Sequence, residues 1–462
     1  MGTTFLSGVI EGFYGPPWHR EERRELFGWM AAWGLNTYVY GPKDDLHHRV
    51  LWREPYSAAD GSALKDLVAE CHQHGLEFYY ALGPGLDLRY SDPADREALR
   101  GRLAQLRDFG CRNFCLLFDD IPDRMSPEDR ERWGSFASAQ CAVVNDLFRW
   151  IRGLESDARF LFCPTPYCGR MAWRQLGGPD YLATVGRELD PEIGVFWTGP
   201  EIISGEITLP HIAELTALLR RPPVIWDNLQ ANDYDGHRFF AGPFSGRPPE
   251  LRSRVGGVLL NPNTEFPLNF IPIRTLAMWV RLGGDGEWRP REAYREALAE
   301  WHPKFEGALR TISLEDLTLL MDCYYLPYEE GLEAMRLQEA LRGLLARPPA
   351  AWGEEAARVE AMLARLREAC ARMAELRNRP LFHALSRRVW ELREELDLLG
   401  RFVRHHADPA QRDAPFQSDF HQLLTYRGGM VASLQRLLQP QPDGTFTATP
   451  GLIYVCEETP NS

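Results

Sequence analysis

Apolar residues along roughly the first 285 positions fall in short blocks that alternate with amphipathic stretches. The strand-like blocks are Ser7–Glu11, Thr37–Tyr40, Glu77–Leu82, Phe114–Phe118, Phe160–Cys163, Val195–Thr198, Val224–Asp227 and Gly257–Leu260. Several are almost continuously apolar, as strands buried on both faces are. Helical spacing fills most of the gaps, in Glu21–Trp33, Ser62–His74, Pro93–Phe109 and Pro127–Arg149. Asp92 and Ser126 stand where N-caps belong, each followed by proline at the first helical position. The connection from Asn232 to Arg254 reads as loop.

Eight β–α units predict an α/β fold, a (β/α)8 TIM barrel over residues 1–285. A doubly wound open sheet is the rival, but no GxGxxG follows the first block. Beyond Gly286 the chain turns Leu-, Ala-, Arg- and Glu-rich with helical periodicity. The stretches are Tyr294–Trp301, Leu314–Tyr325, Glu330–Ala346, Glu354–Arg377, Leu381–His405 and Phe416–Leu438. They predict an all-α helical bundle over residues 286–438. Residues 439–462 are rich in Pro, Gly and Thr and are expected to form a partly disordered tail.

Polar and aromatic groups cluster where the strand blocks end. Examples are Glu11 to Tyr14, Tyr40 to Asp45, Asp119-Asp120, Pro164 to Tyr167, Trp197 to Pro200, Trp226 to Asn228 and Asn261 to Asn263. In a barrel these ends share one face, the face on which active sites are built. Gly, Pro and Asn alone would be ordinary turn chemistry, but so many decorated ends exceed that.

Asp119-Asp120 stands out because it closes an apolar strand block. Two neighbouring carboxylates repel, and burial penalises charge, so their proton affinities separate. One then stays ionised while the other carries a proton, the division of labour that acetal cleavage needs. Asp44-Asp45, directly after Gly41-Pro42, reads instead as a turn cap that orients Lys43. His47-His48 are adjacent and poorly placed to chelate one ion, and His405-His406 suit a helix C-terminus. Glu11 reads as a hydrogen-bonding group in the barrel floor. Neither a metal nor a cofactor is expected.

Composition narrows the partners. The net charge of −13 argues against nucleic acid. Fourteen tryptophans suit sugar recognition as well as core packing. The cysteines are scattered, and several lie inside apolar runs, so neither zinc nor disulfides are expected. The absence of a leader pattern or a membrane-length apolar run leads to the expectation of a cytoplasmic protein that does not engage membranes.

Ser7 to Gly15, Tyr40 to Asp45, Leu117 to Ile121, Phe162 to Cys168, Trp197 to Pro200, Val224 to Asn228, Ala231 to Asp235 and Asn261 to Asn263 together resemble glycoside hydrolase family 84. These are the O-GlcNAcase-type β-N-acetylglucosaminidases, and the chain looks like a bacterial-type member. The helical region resembles their stalk. The resemblance implies retaining hydrolysis of terminal β-linked N-acetylglucosamine, with the substrate's own acetamido group as nucleophile and an oxazoline intermediate. It gives Asp119 the acetamide N–H and Asp120 the leaving-group proton. Tyr167 would donate to the acetamide oxygen, Asn228 would hold the acetamido group or a catalytic carboxylate, and Asp233 would accept from O4 and O6. Gly8 through its carbonyl, Lys43 and Asn261 would bind other hydroxyls, and Trp226 and Trp197 would wall the pocket. The implied partner is a glycoprotein or glycan bearing N-acetylglucosamine, and the long helices suggest a homodimer through the helical region.

Three rivals remain at this point. Asp119 and Asp120 could ligate Mg²⁺, the barrel could be a non-catalytic sugar-binding module, or the substrate could be the galacto epimer. Asp233 discriminates the last, since contact with O4 rejects an axial hydroxyl.

Overall fold

The computed structural model describes residues 4–122, 124–283, 286–419 and 429–451. It divides into two compact units, Met1–Tyr234 with Pro243–Ala293, and Asp235–Gly242 with Tyr294–Ser462.

The first unit is a closed barrel of eight parallel strands in sequential order. They are β1 (Leu6–Glu11), β2 (Thr37–Tyr40), β3 (Glu77–Leu82), β4 (Asn113–Leu117), β5 (Phe160–Cys163), β6 (Gly194–Trp197), β7 (Val224–Asp227) and β8 (Gly257–Leu260). Each expected strand block is present within one residue of its expected limits. Register pairs Glu11 with Tyr40, Leu117 with Cys163 and Asp227 with Leu260, so the C-terminal ends of these strands lie side by side.

Side chains alternate along each strand. Ile10, Val39, Ala81, Leu117, Cys163 and Trp226 belong to the cluster inside the barrel. Val9, Tyr38, Phe114, Val195, Trp197 and Ile225 belong to the larger cluster that includes the surrounding helices. That parity corrects one expectation. Trp197 sits one residue out of phase with the inward-facing Phe196, and its indole N–H meets His211 Nε2 of the helix Leu209–Leu219 at 2.9 Å. It therefore packs in the outer layer and does not wall the pocket, whereas Trp226 faces in.

The caps read from sequence are present. Asp92 accepts from the Ala94 N–H, and Ser126 from the Asp129 N–H. The expected helix Pro127–Arg149 is two helices, Pro127–Trp133 and Phe136–Arg152. Gly134 ends the first at φ 72°, in the left-handed region, and Ser135 caps the second.

The second unit holds helices at Leu314–Asp322, Leu332–Leu345, Glu354–Arg372 and Arg379–Ala407. The last two make the most extensive helix pair of the unit. The expected helix Phe416–Leu438 is not continuous. Phe416–Gln417 is a strand, residues 420–428 lie outside the described residues, and the helix there spans Gly429–Gln435. Leu438–Pro440 and Thr445–Ala448 join Phe416–Gln417 in a small antiparallel sheet. Among the described residues no helix is long and apolar enough to cross a membrane, and every described cysteine is free and buried.

Candidate active site

Asp119 and Asp120 follow β4 after the single residue Phe118, at the C-terminal mouth of the barrel. Although adjacent in sequence, they occupy different environments. The Asp119 side chain is only 12% exposed, and its Oδ2 accepts from Lys43 Nζ at 2.8 Å, with the Lys43 side chain 4% exposed. Burial pushes Asp119 towards the neutral form, but the Lys43 charge and hydrogen bond outweigh it and hold the carboxyl below its usual range. Lys43 mirrors this, since burial works against its charge while Asp119 raises it. The ammonium also lies 5.8 Å from the Tyr14 ring centroid and 6.0 Å from that of Trp226.

Asp120 is exposed, and its backbone is at φ 48°, a left-handed conformation that costs a non-glycine residue free energy. Such outliers concentrate at functional sites. Two tyrosines fix its carboxylate. Tyr14 donates its hydroxyl to Oδ2 at 3.1 Å, and Tyr167 donates to Oδ1 at 3.2 Å. Arg49 donates to the Tyr14 hydroxyl oxygen at 2.6 Å and to the Asp120 carbonyl at 2.5 Å. The Tyr14 N–H donates to Asp233 Oδ2 at 2.9 Å, so one residue touches both carboxylates. Burial raises the proton affinity of Asp233.

Asn228 and Asn261 follow β7 and β8. Asn261 Nδ2 donates to Asn228 Oδ1 at 2.9 Å, and Asn228 Nδ2 donates to the Ile202 carbonyl at 2.9 Å. The Oδ1 of Asn261 is buried and accepts no hydrogen bond among the described residues, an acceptor left for a hydroxyl. Trp226 packs against the backbone of Gly12, where an added methyl would lie 2.5 Å from the indole.

Asp119, Asp120, Lys43, Tyr167 and Asp233 thus form one hydrogen-bonded and ion-paired neighbourhood, and Asn228 with Asn261 forms a second along the same rim. Gly8 joins neither. It lies inside β1, paired in register with Thr37 and Leu259, three residues before the strand end. A Cβ there would sit 1.8 Å from the Thr37 carbonyl oxygen. The glycine at the mouth is Gly12.

Tyr14 and Arg49, which the structure sets against Asp120, carry no role in the sequence reading. Tyr14 belongs to a decorated strand end and could have been singled out, but nothing in the sequence ties Arg49 to Asp120. Glu11 is fully buried and accepts from Arg23, Tyr38 and the Trp18 N–H, which makes it a structural group. His47 and His48 turn to different carbonyls, Glu54 and Ala81. His48 is pushed down to about 4, first by burial and then by the Lys43 charge.

A beta-N-acetylglucosaminidase family profile matches residues 7–313. The chain belongs to this family. The chain is similar to the protein O-GlcNAcases of Rattus norvegicus and Mus musculus, at 47% identity over 282 residues in each case. That alignment takes in 61% of this chain and 30% of each relative, so the chain spans less than a third of their length. Among solved structures, a mutant of the Thermobaculum terrenum O-GlcNAc hydrolase superposes with a TM-score of 0.70 at 29% identity. The match covers 87% of this chain and 83% of that one. The superposition covers more of the chain than the family profile does, so the likeness continues beyond the barrel.

Proposed function

We propose that the barrel removes terminal β-linked N-acetylglucosamine with retention, using the substrate's acetamido group as nucleophile. The observation that carries this reading is the unequal treatment of adjacent carboxylates: Asp119 is buried and charged against Lys43, while Asp120 stands exposed at the mouth.

An ionised Asp119 suits an acetamide N–H. Its Oδ2 belongs to Lys43, and its Oδ1 makes no hydrogen bond among the described residues. Accepting that N–H enriches the acetamide oxygen, which attacks the anomeric carbon as the glycosidic C–O bond breaks. Asp120 gives its proton to the departing oxygen. Asp119 then faces the positive charge of the oxazolinium ring. In the second half Asp120 takes a proton from water as the water attacks the anomeric carbon and the C–O bond of the oxazoline ring opens. Two inversions give net retention. Substrate assistance of this kind departs from the two-carboxylate scheme with an enzymic nucleophile. The intramolecular attack supplies proximity, and the proton transfers contribute about 10²–10⁴-fold.

Tyr167 belongs to the inner cluster and, released from Asp120, donates to the acetamide oxygen. Asp233 and the free Oδ1 of Asn261 supply acceptors for hydroxyls. The rodent relatives are protein O-GlcNAcases, which favours a glycoprotein substrate here. Exposed Trp390, Tyr328 and Leu309 on the helical unit support pairing of two chains through it, and the mass in solution tests that.

The decisive experiment offers the enzyme an O-linked N-acetylglucosamine glycopeptide and a chito-oligosaccharide while NMR follows the anomer released. Early release of the β-anomer, with the glycopeptide preferred, is expected. Initial release of the α-anomer would overturn the mechanism, and preference for chito-oligosaccharide would overturn the substrate class.

A further inference from the structure

Arg247 lies in the loop between β7 and β8 and touches neither Asp119 nor Asp120, yet its guanidinium is fully engaged. Its side chain and that of Asp227 are both 0% exposed. Nε and Nη2 grip the Asp227 carboxylate at 2.7 and 2.8 Å. Nη2 also donates to the Ser204 carbonyl at 2.8 Å, and Nη1 donates to those of Gly205 and Ser245, both at 2.9 Å. All five guanidinium N–H groups are used. Apolar packing can often match a buried ion pair in stability, but it cannot supply fixed directions to three carbonyls and a carboxylate.

What these bonds hold is the loop after β6. The backbone approaches so closely there that Gly246, at φ 70°, would place a Cβ 1.9 Å from the Gly205 carbonyl oxygen. The Ile207 N–H donates to the Gly246 carbonyl at 2.9 Å. Within the loop the Ser204 hydroxyl accepts from the Glu201 N–H at 3.1 Å and lies 2.9 Å from the Thr198 carbonyl. Two site residues hang on this segment. The Ile202 carbonyl takes one amide hydrogen of Asn228, and the Thr198 N–H donates to the Tyr167 carbonyl at 2.9 Å. Asp227 itself accepts from the Leu229 N–H at 3.1 Å, which fixes the turn that carries Asn228.

We infer that Arg247 is a positioning residue for the reaction: through Asp227 and the loop carrying Ile202 it sets the direction of the Asn228 amide. With one amide hydrogen held by Ile202 and the oxygen held by Asn261, the second hydrogen has a single direction in which to meet the substrate. This inference rests on the function proposed above.

A double-mutant cycle tests it, with an aryl β-N-acetylglucosaminide as substrate. Arg247→Lys keeps a cation beside Asp227 but cannot reach the three carbonyls. In the otherwise native enzyme kcat should fall roughly 10²-fold, as misplacement of about 1 Å does, with KM moving less than about threefold. In an Asn228→Ala background the same change should cost less than about threefold, because its effect passes through Asn228. Equal losses in both backgrounds would overturn the inference, as would a loss of thermal stability with kcat intact. Ser204→Ala loosens the same loop without touching the buried pair and decides the question if Arg247→Lys does not fold. It should show the same dependence on Asn228, and additive losses would again count against the inference. A native enzyme without turnover would defeat the functional reading itself, whereas additive losses in an active enzyme defeat only the role of Arg247.

Discussion

Lys43 and Asp119 form an ion pair of 2.8 Å between two side chains that are almost out of water. The pair holds one carboxylate of the doublet charged, and the chemistry proposed for the other depends on that asymmetry.

Removing the cation should expose the debt that the pair conceals. Lys43→Met leaves Asp119 buried alone, and such a break costs about 3–5 kcal/mol. The folded carboxyl of Asp119 lies below its unfolded value. Its contribution is therefore present above the unfolded value of about 4 and lost as pH falls through the folded one. The raised value of Lys43 works the other way, with its contribution present below about 10.4 and lost as pH rises through the folded value. Urea unfolding should show the largest gap between native and variant near neutrality, narrowing in acid. A gap that does not change with pH would show that the charge is not what stabilises the pair.

The carboxylates should separate by leaving group. Asp120→Asn should lose roughly 10²–10⁴-fold on poor leaving groups and much less on activated aryl glycosides. Asp119→Asn should slow both alike, because ring closure needs it whatever departs. Steady-state rates across a series of aryl leaving groups provide the check, and parallel slopes for the two variants would refute the assignment.

Glu11 should matter for stability and not for turnover. Glu11→Gln leaves the Arg23 charge uncompensated beside a fully buried amide, with an expected loss of about 3–5 kcal/mol. The folded fraction should keep the native kcat. Chemical denaturation and active-site titration together measure both quantities, and a fall in kcat per folded molecule would give Glu11 a part in turnover.

One substitution should stabilise. Arg220 ends the helix Leu209–Leu219 at φ 57°, exposed and left-handed. Arg220→Gly removes the Cβ conflict, about 1–2 kcal/mol, offset in part by the entropy glycine adds to the unfolded chain. A net gain of about 0.5–1 kcal/mol in thermal unfolding is expected, and a lower melting temperature would count against it.

The sequence by itself determined the barrel, because eight apolar blocks separated by helical spacing have few ways to bury both strand faces. It also determined which face carries the chemistry, since strand ends in a barrel share a side. Asp119 and Asp120 drew attention by closing an apolar strand block, whereas Tyr167, Asn228, Asp233 and Asn261 were named through the family resemblance; the structure sets all six at strand ends or in the loops beyond. Period-2 parity decided the rest within single residues: Trp226 faces in and Trp197 faces out, a distinction that a one-residue difference in strand limits reverses. Gly134 and Ser135 split a helix whose apolar periodicity runs straight through them. Only the tertiary structure decided that Lys43 neutralises Asp119, that Arg49 and Tyr14 brace Asp120, and that Arg247 ties Asp227 to the neighbouring loop. Each of these rests on hydrogen bonds between different β–α units, at separations from 35 to 106 positions. Local spacing carries no record of such contacts; closure of the barrel creates them.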